Sequence, residues 1–367
     1  MRVRGPYILS GLDERIEQRF MFEGGAEMAR RKCYTKRLIV GVLLALMGLL
    51  SIDQKASQGA EKIRIFYTAI TGEQSIFWIV KESGMLEKYG LEPEMIYIDT
   101  GTLAVQTMLA GESHLGMVGS TAVVLSGLRG SNLKILSGLI NSLTYILITD
   151  PKITRPEQLK GAKLAIARFG SLSDFGTRLA LKKLGVSISD VTLLQIGGGQ
   201  TARFAALKSG VVQGAIVAPP MTRVAKEQGF YPMLDMIKEK IEYAGSGIAV
   251  SPAFLKGNPE TIRKFMKGLV AGIHYAKTHK EESMRITARY MRLDYNKELP
   301  ALEETYKIFI EEVVQRRPYP TLEGIQRVID QVSETDAKAK AAKPEQFVDT
   351  SFLKELDQSG FIDSLYK

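Results

Sequence analysis

The sequence of 367 residues is poor in the side chains on which metal, thiol and hydrolase chemistry depends. Its one cysteine, Cys33, excludes a disulfide within the chain and a thiolate zinc site. Its three histidines, His114, His274 and His279, are too scattered to predict a shared metal ion, and the nucleophile motif G-x-S-x-G is absent. We therefore expect no metal, no cofactor and no enzymatic activity.

A concentrated basic region is also missing from most of the chain. The net charge is +9, and residues 1–60 contribute +4 of it through ten Lys/Arg and six Asp/Glu. The remaining +5 is spread along the rest of the chain without a basic cluster, whereas nucleic-acid binders concentrate such charge on one helix or stripe. We expect no nucleic-acid partner.

Residues 1–60 have the pattern of an amino-terminal extension followed by a signal peptide. Five basic residues between Arg30 and Arg37 precede the apolar run Leu38–Leu50, which is shorter than the roughly 20 residues of a membrane-spanning helix. Residues 1–27 carry acidic side chains and no apolar core, so we interpret Met28 as the true start; a disordered extension is the equal alternative. We predict cleavage after the run and a periplasmic protein; an uncleaved membrane anchor is the alternative.

After residue 60, short apolar runs alternate with amphipathic helical patterns. Strand patterns at Lys62–Ala69 and Leu91–Ile98 are each followed by a helical pattern, and the alternation starts again at Lys163–Ala167. This order predicts an α/β fold with mainly parallel sheets flanked by helices. The carboxyl-terminal part reads as helical, with predicted helices at Pro259–Thr278, Lys280–Met291, Glu298–Val314 and Leu322–Ser333.

Two segments about a hundred residues apart share one pattern. Residues 106–119 and 205–218 both read as a helix, a glycine, two further residues, a polar residue and a short apolar strand that ends in a small residue. An internal repeat of this kind predicts two similar lobes.

Glycine and hydroxyl residues gather where predicted strands turn into helices. The amino terminus of a helix has unpaired N–H groups that bind anions and polar acceptors, and open α/β sheets bind ligands at the carboxyl ends of their strands. Simple N-capping is the alternative interpretation of each junction. The junctions are Thr68–Ser75, Asp99–Thr102, Gly119–Thr121 and Arg168–Ser171.

Two further features have a structural and a functional interpretation. Gly197–Gly199 resembles a phosphate loop but lacks the lysine and the spacing of one, so we expect a flexible loop with an N-cap at Thr201. Trp78, the one tryptophan, is placed to stack on a ligand or to lie in the core.

The chain resembles the nitrate/sulfonate/taurine-type substrate-binding proteins of ABC transporters, which share a type II periplasmic-binding fold with thiamine-pyrimidine synthases. The resemblance covers most of residues 61–290. It rests on W-x-x-K-E-S-G-M-L-E-K-Y-G-L (Trp78–Leu91), L-A-G-E (Leu109–Glu112), L-K-G-A-K-L-A (Leu159–Ala165), Gly170-Ser171, L-K-S-G (Leu207–Gly210), A-P-P (Ala218–Pro220) and N-P-E (Asn258–Glu260).

The resemblance implies two lobes that are joined by two crossover strands and close on a small ligand. Lobe 1 would comprise residues 61–147 and 248–367, and lobe 2 residues 148–247. No arginine falls on the matched pocket positions, and Arg168 is the nearest one, which argues against a sulfonate or nitrate ligand. Together the junctions and the resemblance predict ligand contacts from Thr71, Gln74, Ser75, Gly101, Thr102, Ser120, Thr121, Gly170, Ser171 and Pro219.

The expected function is that of an extracytoplasmic solute-binding protein. As a monomer, it would capture a small polar or anionic organic ligand between the lobes and deliver it to the permease of an ABC importer in the inner membrane. An enzyme like the thiamine-pyrimidine synthases is the alternative, although the resemblance implies for those enzymes a cysteine-rich segment that this chain lacks. A regulator's effector domain would need a helix-turn-helix segment, which residues 1–60 do not offer.

Overall fold

The computed structural model describes residues 60–367, so the predicted signal peptide and Cys33 lie outside the described residues. Within residues 60–367, no helix combines the length and the apolar character that crossing a membrane requires.

The strands of the described chain form two separate five-stranded sheets with the same topology. The first has the order β2–β1–β3–β10–β4 and the second the order β7–β6–β8–β5–β9. In each sheet one strand, β10 or β5, is antiparallel to its neighbours, and the other four run in one direction. The strands are β1 (Glu61–Tyr67), β2 (Leu91–Tyr97), β3 (Leu115–Gly119), β4 (Lys134–Ser142), β5 (Ile146–Thr149), β6 (Lys163–Ile166), β7 (Thr192–Gln195), β8 (Gly214–Val217), β9 (Tyr231–Asp235) and β10 (Glu242–Val250).

Helices flank both sheets and dominate the carboxyl-terminal part, which confirms the predicted α/β class. Short 3₁₀ turns supplement them, among them Gly72–Gln74 after β1. Residues 60–367 contain α1 (Ser75–Glu82), α2 (Met85–Lys88), α3 (Gly101–Leu109), α4 (Ser120–Leu128), α5 (Leu172–Lys183), α6 (Gly199–Lys208), α7 (Met221–Glu227), α8 (Pro252–Gly257), α9 (Pro259–Thr278), α10 (Lys280–Met291), α11 (Leu299–Tyr306), α12 (Leu322–Ser333), α13 (Ser351–Gln358) and α14 (Phe361–Ser364).

The two repeat segments occupy equivalent places in the two sheets. Helix α3 leads into β3 and helix α6 leads into β8, and each of these strands lies at the centre of its sheet. Gly111 and Gly210, which end the two helices, have φ angles of +77° and +76°. Because side chains with a Cβ rarely adopt this left-handed conformation, the same turn requires glycine in both lobes.

The chain passes from the first sheet to the second between β4 and β5 and returns between β9 and β10. The predicted lobe boundaries at 147/148 and 247/248 fall inside β5 and β10, yet each of these strands pairs within a single sheet. The structure therefore places the passages a few residues earlier, at 143–145 and 236–241. Residues 143–145 are as buried as the strands that flank them.

The carboxyl-terminal helices pack on the first sheet and its helices. Helices α9, α10 and α12 have the predicted bounds, whereas the predicted helix Glu298–Val314 is α11 followed by a π-helix at Lys307–Val313. Trp78 on α1 is fully buried and stacks on the ring of Tyr290 at 5.0 Å, so its role is in the core.

Strands β9 and β10 do not follow from the sequence pattern. Strand β10 contains Gly245 and Gly247, at which a Cβ would lie 2.6 Å and 2.3 Å from carbonyl oxygens of β4. Glycine weakens a strand pattern in the sequence but is needed here because the two backbones approach so closely.

Candidate functional site

The two sheets face each other across a cavity of about 60 Å³. Both lobes line it, each with residues that follow the carboxyl ends of its parallel strands. Lobe 1 contributes Thr68, Thr71, Glu73, Asp99, Thr100 and Gly101, which follow β1 and β2. Lobe 2 contributes Ala167, Ser171, Ser173, Gly199, Gln200 and Arg203, which follow β6 and β7.

The lobes are in direct contact around the cavity, so the structure is of a closed form. The backbone N–H of Gly72 donates to the carbonyl oxygen of Pro219 in the other lobe at 3.0 Å. The N–H of Gly198, next to the start of α6, donates to Oδ2 of Asp99 at 3.4 Å. A side chain at Gly72 would place its Cβ 2.8 Å from the Pro219 oxygen and 2.6 Å from the Phe309 ring, so this closure requires glycine.

Glu73 places a carboxyl group in the wall of the cavity, next to the first passage between the lobes and to β10. It lies in the 3₁₀ turn after β1 and is 3% exposed. Ser246 of β10 donates to Oε1 at 2.9 Å, and Thr144, in the first passage, donates to Oε2 at 3.5 Å. Burial raises the pKa of Glu73, and the hydrogen bonds from Ser246, Gln74 and Thr144 oppose this shift only in part. The environment therefore favours the uncharged acid.

Arg203 provides a buried guanidinium on the opposite wall. It lies on α6, is 5% exposed, and its Nε atom has no hydrogen-bond partner among residues 60–367. No carboxylate of the described chain lies within 4 Å of it, although Asp99 and Tyr145 are near enough to act on its charge. Burial lowers the pKa of Arg203, but an arginine stays protonated in proteins. A buried cation without an ion-pair partner is costly, so the site is suited to an anion from outside the chain.

Two backbone features beside the cavity are typical of binding sites. Thr100 has a φ angle of +74°, which is strained for a residue with a branched side chain. Its hydroxyl accepts a hydrogen bond from the N–H of Leu103 at 3.4 Å and so caps α3. In lobe 2, Ser171 caps α5 in the same way, and its hydroxyl accepts from the N–H of Asp174 at 3.4 Å.

Three of the ten predicted contact residues line the cavity. They are Thr71, whose buried hydroxyl has no partner within the described chain, Gly101 at the start of α3, and Ser171. Gln74 and Ser75 are buried behind the wall, where Gln74 Nε2 donates to Glu73 at 3.4 Å and the Ser75 hydroxyl donates to the Gly72 carbonyl at 2.6 Å. These two support the 3₁₀ turn.

The other five predicted residues lie around the cavity rather than in its lining. Ser120 and Thr121 are buried in the first turn of α4. Thr102 and Gly170 line an outer groove between the lobes, and Pro219 supplies the carbonyl that receives Gly72.

The predicted contact residues do not include the three charged residues of the cavity lining, Glu73, Asp99 and Arg203, although Asp99 begins the second predicted junction. Glu73 lies inside the first junction, between two residues that were singled out for their hydroxyl and amide groups. Arg203 follows the glycine run, for which the expectation of a flexible loop with an N-cap at Thr201 is wrong. Helix α6 begins at Gly199 with Gly198 as its N-cap, and Arg203 on this helix lines the cavity. Arg203 is not one of the positions matched by the resemblance, so the statement that no arginine falls on those positions stays a prediction.

None of the three histidines lines the cavity, and residues 60–367 bring no three His, Cys, Asp or Glu side chains together in a group that could hold a metal ion. The described chain therefore offers amide, hydroxyl, carboxyl and guanidinium groups to a ligand.

The two lobes and the cleft between them define the class of periplasmic-binding-protein folds. The family model described as NMT1/THI5 like matches residues 74–283, and the chain belongs to this family. A Brucella abortus protein, whose name proposes that it is a binding protein, is 25% identical over 272 residues, which cover 71% of this chain and 80% of the relative.

Solved structures of binding proteins share the fold. The alkanesulfonate-binding protein SsuA from Xanthomonas axonopodis pv. citri, bound to MOPS, has a TM-score of 0.63 at 17% identity and covers 79% of this chain and 96% of its own. The periplasmic nitrate-binding protein NrtA from Synechocystis has a TM-score of 0.66 at 13% identity, with 82% and 89% covered. The predicted resemblance to nitrate- and sulfonate-type binding proteins is thereby confirmed at the level of the fold.

Proposed function

We propose that the protein is an extracytoplasmic solute-binding protein that captures a small anionic ligand between its lobes and delivers it to an ABC importer. The observation that carries this proposal is the cavity between the lobes, which both lobes line with polar and charged side chains. Thr71 lines it from lobe 1 and Arg203 from lobe 2, and each has one buried polar atom without a partner in the described chain. A ligand that pairs with both would stabilise the closed form over an open one.

The alternative of an enzyme like the thiamine-pyrimidine synthases has less support. The cavity is lined by neither cysteine nor histidine, and the one cysteine of the chain precedes the predicted mature part. Both the family and the neighbouring structures named above are compatible with capture without chemical conversion.

The test combines ligand identification with an assay for turnover. Small molecules released from the purified, denatured protein are identified by mass spectrometry, and each is added back to fresh protein. We expect binding with a decrease in the radius of gyration in small-angle scattering, and recovery of the unaltered ligand by NMR. Conversion of the ligand into a product would overturn the proposal in favour of an enzyme.

Delivery is tested separately in the source organism. Deletion of the gene should abolish high-affinity uptake of the labelled ligand, and the gene with Arg203→Ala should fail to restore it. Unchanged uptake in the deletion strain would contradict a role in import.

A further inference from the structure

The chemistry of the cavity walls narrows the class of ligand, and this inference rests on the proposed function. The lining of the cavity combines the charged residues Glu73, Asp99 and Arg203 with hydroxyl and apolar side chains.

The charge of the ligand follows from Arg203. Its guanidinium lies in the wall with the Nε atom free of partners in the described chain, and a guanidinium presents coplanar N–H groups that match the two oxygens of a carboxylate. Among the described residues that line the cavity, Arg203 is the only one with a positive charge. One cation favours a ligand with a single negative charge.

The rest of the wall is suited to a carbon-bearing part. Ala69, Ala167 and Leu172 line the cavity together with the ring of Tyr145, which is itself buried. Nitrate would leave this apolar surface without a contact, whereas a short carbon chain would cover it.

Glu73 decides between an anion and a zwitterion. Its oxygens already accept hydrogen bonds from Ser246, Gln74 and Thr144, and no cation of the described chain pairs with it within 4 Å. An ionised Glu73 would attract an ammonium group on the ligand and so favour a zwitterion. An uncharged Glu73 would not repel an anionic ligand, and it would not repel Asp99, the other acid of the lining. The full burial of the carboxyl in a wall without a nearby ammonium group favours the uncharged form.

We propose that the cavity binds a small monocarboxylate, whose carboxylate pairs with Arg203 while the buried carboxyl of Glu73 forms part of the wall that lobe 1 contributes. The guanidinium and the apolar patch support the same class of ligand.

The experiment is isothermal titration calorimetry of the purified protein with matched small solutes. Acetate and propionate test the carboxylate, nitrate and methanesulfonate test the other monoanions, and glycine tests the zwitterion. We expect acetate or propionate to bind at least tenfold more tightly than glycine, nitrate or methanesulfonate. Equal or tighter binding of glycine, nitrate or methanesulfonate would overturn the inference, as would the absence of binding by both carboxylates.

The pH dependence tests the state of Glu73 directly. Burial raises the pKa of Glu73, and its ionisation places a second negative charge beside the bound carboxylate, so the wild-type affinity for acetate, measured from pH 5 to pH 9, should fall several-fold at the pH where Glu73 ionises. The other titratable groups that line the cavity are Asp99, Tyr145 and Arg203; the pKa of Tyr145 is raised by burial, so its hydroxyl stays neutral in this range.

Glu73→Gln removes the titration while keeping the shape of the side chain. In this variant the affinity for acetate should no longer fall with pH, and at pH 9 it should exceed that of the wild type several-fold. Glu112→Gln, an exposed position outside the cavity, is the matched control and should keep the wild-type profile. A Glu73→Gln variant that binds acetate more weakly than the wild type at pH 9 would show that an ionised Glu73 is needed.

These outcomes separate the inference from the proposed function. A preference for glycine or nitrate would overturn the monocarboxylate class but leave a solute-binding protein. Chemical conversion of a bound solute would remove the transport role itself.

Discussion

The two lobes share one strand order but bring opposite chemistry to the cavity. Lobe 1 supplies the buried carboxyl of Glu73 and the carboxylate of Asp99, and lobe 2 supplies the buried guanidinium of Arg203. The duplicated scaffold therefore fixes where a ligand lies, because the carboxyl ends of parallel strands meet at the cleft in both lobes. The side chains about one turn beyond these strand ends determine which ligand the cleft binds, and these side chains differ between the two lobes.

The first test of this difference between the lobes removes the positive charge that lobe 2 contributes to the cavity. Arg203→Ala should weaken acetate binding about 100-fold, or ~3 kcal/mol, because a buried ligand carboxylate would lose its ion-pair partner. Arg203→Lys should recover part of the loss, since an ammonium keeps the charge without the planar pair of donors.

Titration calorimetry measures both variants. Arg168→Ala, an exposed arginine of the same lobe that lies outside the cavity lining, should bind as the wild type does. Equal losses at Arg168 and Arg203 would mean that the general charge of lobe 2, rather than the buried guanidinium, attracts the ligand.

The second test pushes the lobes apart where their backbones touch. Gly72→Ala places a Cβ 2.8 Å from the Pro219 carbonyl, and overpacking of this kind costs about 1–3 kcal/mol. We expect affinity to fall about tenfold and the radius of gyration with ligand to stay near that of the unliganded protein. Gly257→Ala, where nothing lies within 4 Å of the added Cβ, is the control; closure of both variants would contradict a steric role for position 72.

The third contrasts two serines, one from each lobe, that lie where a strand gives way to a helix. Ser171 lines the cavity and caps α5, so Ser171→Ala should cost about 1 kcal/mol in the free energy of unfolding and reduce acetate affinity. Ser120 has no cap hydrogen bond and lies outside the lining, so Ser120→Ala should change neither quantity. Urea unfolding measures the stability of both variants, and calorimetry measures their affinity for acetate. Similar effects of the two changes would contradict a special role for the serine that lines the cavity.

We expect the smallest effect from a change at Asp99, the acid of lobe 1 whose side chain accepts a hydrogen bond from Gly198 of the other lobe. Asp99→Asn removes one negative charge from the lining while its side-chain oxygen still accepts from Gly198. Acetate affinity should rise about threefold, or ~0.7 kcal/mol, the size expected for a partly screened like charge. A decrease would indicate that the ligand carries a positive group that Asp99 holds.

The sequence predicts the scaffold better than the site. Helices α9, α10 and α12 follow from amphipathic runs whose ends are marked, as by Pro259 at the first position of α9. Thr71, Gly101 and Ser171 are predictable because they follow strands whose carboxyl ends face the cleft. The sequence pattern does not show in which direction a side chain within a turn points. It therefore does not predict that Glu73, in its 3₁₀ turn, lines the cavity. Arg203 escapes it because the helical pattern does not show which face of α6 lines the cavity.

The passages between lobes show the same limit. The polar residues Asn141, Ser142 and Thr144 interrupt the apolar run between β4 and β5, but the pattern does not show that the two strands belong to different sheets. Only the pairing of each strand with its sheet shows where the chain crosses, and this pairing is a long-range property.

The central claim is that Arg203 anchors a ligand carboxylate between the closed lobes. A crystal structure of the protein with propionate tests it most directly. We predict a closed form with the propionate carboxylate within hydrogen-bond distance of the Arg203 guanidinium and its carbon chain against Leu172 and Tyr145. Propionate bound outside this cavity, or Arg203 paired with an acid of the chain while propionate is bound, would contradict it.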